Sequence, residues 1–498
     1  ILSLWLAQHQ MNQKFKEVLG ESTPTLPLQA GGNIVHGNAT RIDWEKVCPK
    51  KENDEIYILG NPPYLGFNER SKEQKEDMEF AFKNIKNIQR LDYIGCWFIK
   101  ATDFIKNSNS SYAFVSTNSI CQGEQVSLLW PYVFNNNQEL FFAHTSFKWS
   151  NNAKSKAAVI CIIVGIKNQN QDIKHIFSEN KVKLAKSISP YLVEAGKTVM
   201  EQRTTSISNF PDMALGSSGI DGSNLVLSSE EKYRFISEDA KSSIFIKSYV
   251  GGQDFLDKNE RYCLWIDDDK VSDALEIELV KDRIDKCKNY RLSAGRDAKK
   301  GALVPHRFFY RKHKEEDAII IPMTSSERRD YIPIGYFEKG SIFSNGVFVI
   351  YKPEIFMFSI LSSKIHMSWV KITSGRLKSD YRYSVNLTYN TLPFPKISDA
   401  QKQELTQCAF RILAERENHS EKTIAQLYDP DKMPQGLREA HRLNDLAVER
   451  CYRSKPFETD EERLEYLFKL YEQMIAEKKQ KGTLFQEEKK AKKTRKTK

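Results

Sequence analysis

The chain is poor in paired cysteine. Its eight cysteines, at 48, 96, 121, 161, 263, 287, 408 and 451, never form a Cys-x-x-Cys pair. That spacing argues against a zinc site and a disulfide framework, and for reduced thiols. Long apolar runs are absent too. None approaches the ~18 residues needed to span a bilayer, and no charged, apolar, small-residue signal opens the chain. We therefore expect a cytoplasmic protein with no membrane partner. Charge is only slightly unbalanced: the formal net charge is +10, much of it in the final tail. This is a modest signal for a polyanionic partner. No glycine-rich loop follows an early strand. The chain opens at Ile1 rather than Met, inside a helical pattern of Leu2, Leu4, Trp5, Leu6 and Met11. A length of 498 residues leaves room for two or three domains with large cores.

What is present is one short stretch, Asn61-Pro62-Pro63-Tyr64, directly behind the apolar run Ile56–Gly60. A short apolar run that stops at Gly and Pro reads as a buried strand. In open α/β sheets ligands sit beyond the carboxyl ends of strands, where this tetrapeptide would lie. Two prolines fix φ at successive residues and donate no N–H there. The loop is stiff and presents carbonyls, one amide and one aromatic ring. Such a set suits a planar base with an exocyclic amine. The Asn61 side-chain oxygen and the Pro62 carbonyl can accept its two N–H bonds, and the Tyr64 ring can stack on its face. A plain tight turn would use the same four residues, so the flanking segments carry the decision.

Those segments alternate. Residues 1–19 read as an amphipathic helix, 22–33 as a loop and Asn33–Asn38 as a short strand. A polar helix follows at 72–86, and a second helix at 91–105 puts Leu91, Ile94, Phe98, Thr102 and Ile105 on one face. Then come a strand at 112–118, a helix at 122–134, and strands at 140–145 and 157–164 joined by an aromatic loop from Phe147. Alternation of this kind specifies a mainly parallel sheet covered on both faces. Residues 168–182 are rich in Asn, Gln and Lys and read as an exposed linker. Beyond them, 183–395 shows mixed strand and helix signals without βαβ alternation. Ser398 with Gln401 is a capping box, and Thr459 caps a later helix.

The Asn-Pro-Pro-Tyr motif is that of amino-methylating DNA methyltransferases. The whole chain resembles the C-terminal part of the MmeI-like type IIG/IIL restriction-modification proteins. The segments that carry the likeness are Gly37–Trp44; Tyr249–Phe255 with Arg261–Trp265; Ile321–Pro333; Leu361–Val370; Gly375–Ser384 running to Pro395; and Leu427–His441. The resemblance implies an α/β chain: a partial Rossmann-like class I methyltransferase sheet (1–167), an α+β target recognition domain (168–395) and a C-terminal helical bundle (396–477). A basic tail (478–498) is expected to be disordered.

It further implies methyl transfer from S-adenosylmethionine to N6 of a flipped adenine in double-stranded DNA. The tetrapeptide begins with Asn, which with the family favours adenine; residue chemistry alone would permit cytosine N4. Asn61, Pro62, Pro63 and Tyr64 are then the catalytic residues, and Phe147 or Trp149 joins Tyr64 in stacking on the base. Core packing would explain either aromatic equally well. Asn38 and Asn61 are the cofactor-binding candidates; Asn38 stands where many relatives carry an acid, and a turn or cap residue is the plain alternative. Asp43 reads as a cap.

In the recognition domain, Arg376, Lys378, Tyr381, Arg382 and Tyr383 interleave cations and aromatics, a pattern that grips phosphates and stacks on bases. Glu327, Arg328 and Arg329 are types that read base edges. A solvated surface with internal ion pairs is the competing reading for each of these. The family carries its Asp-Pro-x-Cys-Gly-x-Gly-type cofactor loop and its nuclease domain upstream of the matching region. We therefore expect a fragment or split gene product. In that case the chain is either an active methyltransferase or a catalytically incomplete DNA sequence-recognition fragment that needs an upstream partner. No Asp…Glu-x-Lys nuclease constellation is supported, and no cleavage is expected.

Overall fold

The computed structural model describes residues 2–20, 33–83, 88–149, 159–178, 181–377 and 379–496; side chains at 2–5, 88, 148–149, 159 and 481–496 are outside the description. Six strands form the first sheet: β1 (Ile56–Gly60), β2 (Ser110–Thr117), β3 (Gln138–Trp149), β4 (Val159–Asn168), β5 (Lys174–Ser178) and β6 (Lys181–Ala185). Their order is β1-β2-β4-β3-β5-β6. β1 and β2 are parallel, with Ile56 opposite Ser110 and Gly60 opposite Phe114. The late strand β4 is inserted between β2 and β3, so the expected methyltransferase-like α/β sheet is formed.

By compactness the chain divides into two units. One comprises Ile1–Ser116, Tyr132–Phe141 and Ile163–Gln171; the other comprises Thr117–Pro131, Phe142–Ile162 and Asp172–Lys498. In the first unit the core forms where the helix Gly95–Phe104 lays Phe98 edge-on against Tyr112 and Phe114 of β2, at ring distances of 6.0 and 5.4 Å. β2 buries every second residue, as a half-covered strand should. The Tyr112 hydroxyl lies 2.9 Å from Thr102 Oγ1, and the Gln138 amide donates to the Thr102 carbonyl at 2.7 Å, so these buried groups are paired.

Four expectations are corrected. β1 is not a buried strand but, among the described residues, the edge of its sheet, with Tyr57 and Leu59 exposed on one face. Residues 33–38 form no strand: the Asn38 carbonyl accepts from the Arg41 and Ile42 N–H groups, closing a turn instead. Residues 168–182 are not a linker, because β5 runs parallel to β3 and pairs antiparallel with β6. Lys174 and Ile176 are buried there, the lysine carrying its ammonium to the Asp172 carbonyl at 2.6 Å. The basic tail is not without structure, since the last helix runs Asp460–Lys496; Lys, Glu, Gln and Ala are good helix formers.

The second unit holds three further sheets. Their strands are β7 (Ala214–Leu215), β8 (Val226–Ser228), β9 (Ile246–Val250), β10 (Arg261–Leu264), β11 (Ala318–Pro322), β12 (Thr324–Ser325), β13 (Gly335–Phe337), β14 (Ser341–Phe343), β15 (Val347–Tyr351), β16 (Gly375–Leu377) and β17 (Asp380–Arg382). The orders are β14-β9-β10-β8, β13-β11-β15-β7 and β12-β17-β16. β11 is central and buried throughout, which explains its unbroken Ala-Ile-Ile-Ile run. The helices Asp399–Glu417, started by the Ser398 capping box, and Gln435–Tyr452 pack on one another.

A polar seam lies buried among these helices. Tyr331 Oη and the Lys364 N–H both donate to Asp445, each at 2.7 Å. His441 joins the Ser362 carbonyl at 3.1 Å and Tyr428 Oη at 2.8 Å. Burial holds His366 and His441 neutral, with pKa values lowered to about 4 and about 3. Unfolded histidine takes up its proton near pH 6.5, at about its ordinary pKa. Below that pH the unfolded chain binds more protons at these two sites, so stability falls on acidification. Burial pushes Asp445 up to about 7. Its folded carboxyl therefore binds a proton that the unfolded one lacks until about pH 4, and its contribution rises on acidification.

Two groups against one leave a net loss near one proton, about 1.4 kcal/mol per pH unit. We predict that Asp445→Asn removes the compensating group and steepens the loss between pH 6.5 and 4.5, using about one further proton. Thermal unfolding midpoints of both proteins across that range check this; parallel curves contradict it.

Candidate functional site

In the first unit β1 ends at Gly60, where an added Cβ would stand 3.4 Å from the Phe114 ring. The next four residues have no regular structure. Asn61 and Pro63 are exposed, Pro62 is buried and Tyr64 is half-buried. The Tyr64 hydroxyl donates to Asn61 Oδ1 at 2.6 Å, so the amide is held in one orientation with its acceptor facing a hydroxyl. The chain then passes through Leu65 at φ 29°, a left-handed conformation that costs a non-glycine residue ~1 kcal/mol. The Tyr93 and Ile94 N–H groups donate to the Leu65 and Tyr64 carbonyls at 3.0 and 3.4 Å.

Tyr93 is itself anchored. Its buried hydroxyl donates to Asp77 Oδ2 at 2.6 Å. The same carboxylate, 2% exposed, accepts from Asn38 Nδ2 at 2.9 Å and from Arg41 Nε at 2.5 Å. Burial pushes the Asp77 pKa upward, but the three donors outweigh it and hold the group below its usual range. Asp77 thus ties the turn at 38–42 to the wall behind the tetrapeptide. Nothing in its sequence setting marks it, since it sits in the polar run Lys72–Phe82.

Asn38 is exposed, and its Oδ1 accepts from the Thr40 N–H and hydroxyl at 2.9 and 2.7 Å. One amide hydrogen goes to Asp77. Asp43 caps the short helix Trp44–Val47 by accepting from the Glu45 N–H. A larger cavity, about 620 Å³, lies at the other end of this unit, lined by Lys50, Lys51, Lys106 and Asn168 among others. It borders the segments that enter β1 and β2. Ligands of parallel sheets bind beyond the strands' carboxyl ends, so the chemistry is sought at Asn61.

In the second unit Phe147 lies within β3, half-buried, with its ring edge-on to His144 at 5.0 Å. The Trp149 side chain and Lys378 lie outside the described residues. β12, β17 and β16 gather the other candidates. Thr324 pairs with Arg382 and Ser325 with Tyr381. Arg376 lies over the Tyr381 ring at 3.9 Å and donates to the Ser379 carbonyl at 2.7 Å and Gln122 at 3.3 Å. Arg382 and Glu327 are exposed. Arg328 is paired with Asp431 at 2.6 Å, and Arg329 is partly buried beside Ser325.

Tyr381 and Tyr383 are buried, the latter with its hydroxyl 2.8 Å from His366 Nε2. Both rings pack within the fold, although Tyr383 also lines the cavity beside Arg382. Beside Arg382 a cavity of about 250 Å³ is lined by Met323, Phe348, Ser384, Val385 and Asn386. Its floor is a π-helical turn, Val385–Tyr389, which no sequence pattern announces.

Three family models match in succession: "MmeI, DNA-methyltransferase domain" over 1–178, "MmeI, target recognition domain" over 194–396 and "MmeI, C-terminal domain" over 397–478. DNA methyltransferase A of Bacillus subtilis (strain 168) is 42% identical over 476 residues, 95% of this chain and 54% of that protein. The chain thus spans about half the length of this curated relative. The solved structure of the type IIL restriction-modification enzyme MmeI in complex with DNA superposes with a TM-score of 0.78 at 37% identity, over 95% of this chain and 64% of that one.

The Asp77 anchor makes a local prediction. Asp77→Ala leaves the buried Tyr93 hydroxyl and the exposed Asn38 amide without their shared acceptor, at a cost of about 2 kcal/mol. Hydrogen–deuterium exchange of the amides at 38–42 and 93–94 should accelerate by tens-fold, corresponding to that cost. Unchanged protection there would refute the anchoring role.

Proposed function

Because the chain belongs to the MmeI-like DNA methyltransferases, with methyltransferase, target recognition and C-terminal domains in that order, we propose that it methylates N6 of adenine at a specific site in duplex DNA. The methyl donor is S-adenosylmethionine, and the setting is a restriction-modification system in the cytoplasm. The paired amine is unreachable inside the helix, so the target base must be flipped out. The catalytic part is placed at 1–167, with β5 and β6 continuing its sheet, the recognition part at 168–395 and the helical C-terminal region at 396–477.

The observation that carries this reading is the exposed Asn61 amide behind a parallel strand, oriented by Tyr64. Asn61 Oδ1 and the Pro62 carbonyl accept the two amine hydrogens, which favours a pyramidal, attacking nitrogen. To do so Asn61 exchanges the Tyr64 hydroxyl for the amine, and the released ring is placed to stack on the base. Phe147 is the described candidate for the opposite face. S-adenosylmethionine when bound supplies an activated methyl group. The exposed, turn-held Asn38 amide and Asn61 are the groups of this chain that would hold it, and Asp77 keeps the Asn38 turn preformed. Positioning is the protein's main contribution.

On the recognition side, Arg376, Arg382, Glu327 and Arg329 are the side chains offered to DNA. Tyr381 and Tyr383 act by holding the hairpin beneath them.

We predict that Asn61→Ala lowers methyl transfer from tritiated S-adenosylmethionine into duplex DNA by ~100-fold or more, the scale of losing one aligned hydrogen-bonding group. Duplex affinity should stay within about twofold, since the reacting amine supplies little of it. Tyr64→Phe keeps the stacking ring and should retain most activity, whereas Tyr64→Ala should not. Full activity in Asn61→Ala refutes the assignment. In a second reading the chain recognises DNA but needs a partner for transfer. Calorimetric titration with S-adenosylmethionine separates the two: binding supports the first, silence the second.

A further inference from the structure

One side chain in the recognition part stands out for its exposure. Leu303 is 89% exposed, the most exposed large apolar residue among those described. A single exposed leucine on a mobile loop is ordinary. This loop, however, is clamped. Beneath it Arg291 is completely buried, and its guanidinium donates to five backbone carbonyls. These are Ile220 at 3.1 Å, Gly219 and Arg307 at 2.7 Å, and Gly301 and Val304 at 2.8 and 3.0 Å.

The last two carbonyls belong to the residue two before Leu303 and the one after it. A charged group without a carboxylate partner is expensive to bury, and here five carbonyls meet its five N–H donors. Gly301 permits the close approach: an added Cβ would stand 2.9 Å from the Phe309 ring and 3.3 Å from Arg291 Cδ. Ala302 and His306 on either side are buried, the latter bonded to Asp268 at 2.7 Å. The fold therefore holds an apolar side chain out in water on a rigid support.

The surroundings are cationic. The preceding helix Arg296–Gly301 carries exposed Arg296, Lys299 and Lys300 against one acid, Asp297, which lies 3.6 Å from Lys300. A rigid apolar tip flanked by cations fits a duplex: the cations meet phosphates, and the leucine enters between base pairs and unstacks them. We propose that Leu303 is a wedge inserted into duplex DNA beside the recognised sequence, with Arg296 and Lys299 seating the adjacent backbone. This inference rests on the proposal that the chain binds duplex DNA, and it concerns a surface separate from the hairpin at 375–382.

The test uses the full chain and a fluorescein-labelled 30-base-pair duplex carrying its methylated sequence, mapped by single-molecule sequencing. Adenines are replaced one at a time by 2-aminopurine. Leu303→Ala should weaken binding about tenfold, the scale of leaving one leucine unburied. It should also abolish the fluorescence rise at one step other than the methylated adenine. Leu303→Met should restore both. Lys299→Ala should lower the salt slope of log affinity by about one.

Leu303 is exposed, so the variants are expected to melt as the parent does. If Leu303→Ala binds within twofold of the parent with an unchanged 2-aminopurine profile, the wedge is wrong while the methyltransferase reading stands. If that variant instead alters sedimentation mass, the surface meets protein and the proposal fails. If the parent chain binds no duplex at all, both readings fall.

Discussion

The structure depends on one stiff corner. Where β1 stops, two prolines remove backbone freedom, and the parallel pairing of β1 with β2 fixes the direction in which the corner leaves the sheet. Its far end is gripped by the Tyr93 and Ile94 amides, and Leu65 accepts a left-handed conformation to make that grip possible. A loop free at either end would lose the alignment of the Asn61 amide. Here both ends are held, and the single exposed amide between them is oriented before any ligand arrives. The proposed methyl transfer from a sulfonium needs little acid–base help, so a site of this kind would contribute mainly geometry.

Buried polar groups do comparable work elsewhere. Asp77 gathers three donors from two segments of the first unit, and no apolar side chain of its size could join them. Arg291 gathers carbonyls from two segments of the second, 219–220 and 301–307. The seam of Tyr331, Tyr428, His441 and Asp445 locks the C-terminal helices onto the segment 359–364. Each is fully hydrogen-bonded or nearly so, the condition under which buried polarity specifies shape instead of weakening a core. In the proposed role of reading a nucleic-acid sequence, rigid support beneath the reading surface matters as much as the surface. Tyr381 under Arg376 and Tyr383 against His366 show the same arrangement.

What could be read from the sequence was what local chemistry decides. Gly60 and two prolines punctuate β1 unmistakably, and the Ser398–Gln401 capping box starts its helix as expected. Long-range burial was not legible. Lys174 sits in a polar stretch and is nonetheless a sheet residue, because its stem packs while its ammonium finds a carbonyl. Tyr381 and Tyr383 interleave with arginines as DNA-stacking rings would, but tertiary packing puts them beneath the surface. Asp77 and Arg291 look like ordinary surface charges in polar helices; only the fold shows that each is buried and saturated. Asn38 ended no strand, because its own side chain offers the backbone a turn.

The most direct test of the account is the identity of the methylated atom. Duplex DNA incubated with the protein and trideuteromethyl-labelled S-adenosylmethionine would be digested to nucleosides and analysed by mass spectrometry. The account predicts labelled N6-methyladenine, which is absent when Asn61 is replaced by alanine. Label in N4-methylcytosine, or label in N6-methyladenine that survives the loss of Asn61, would contradict it.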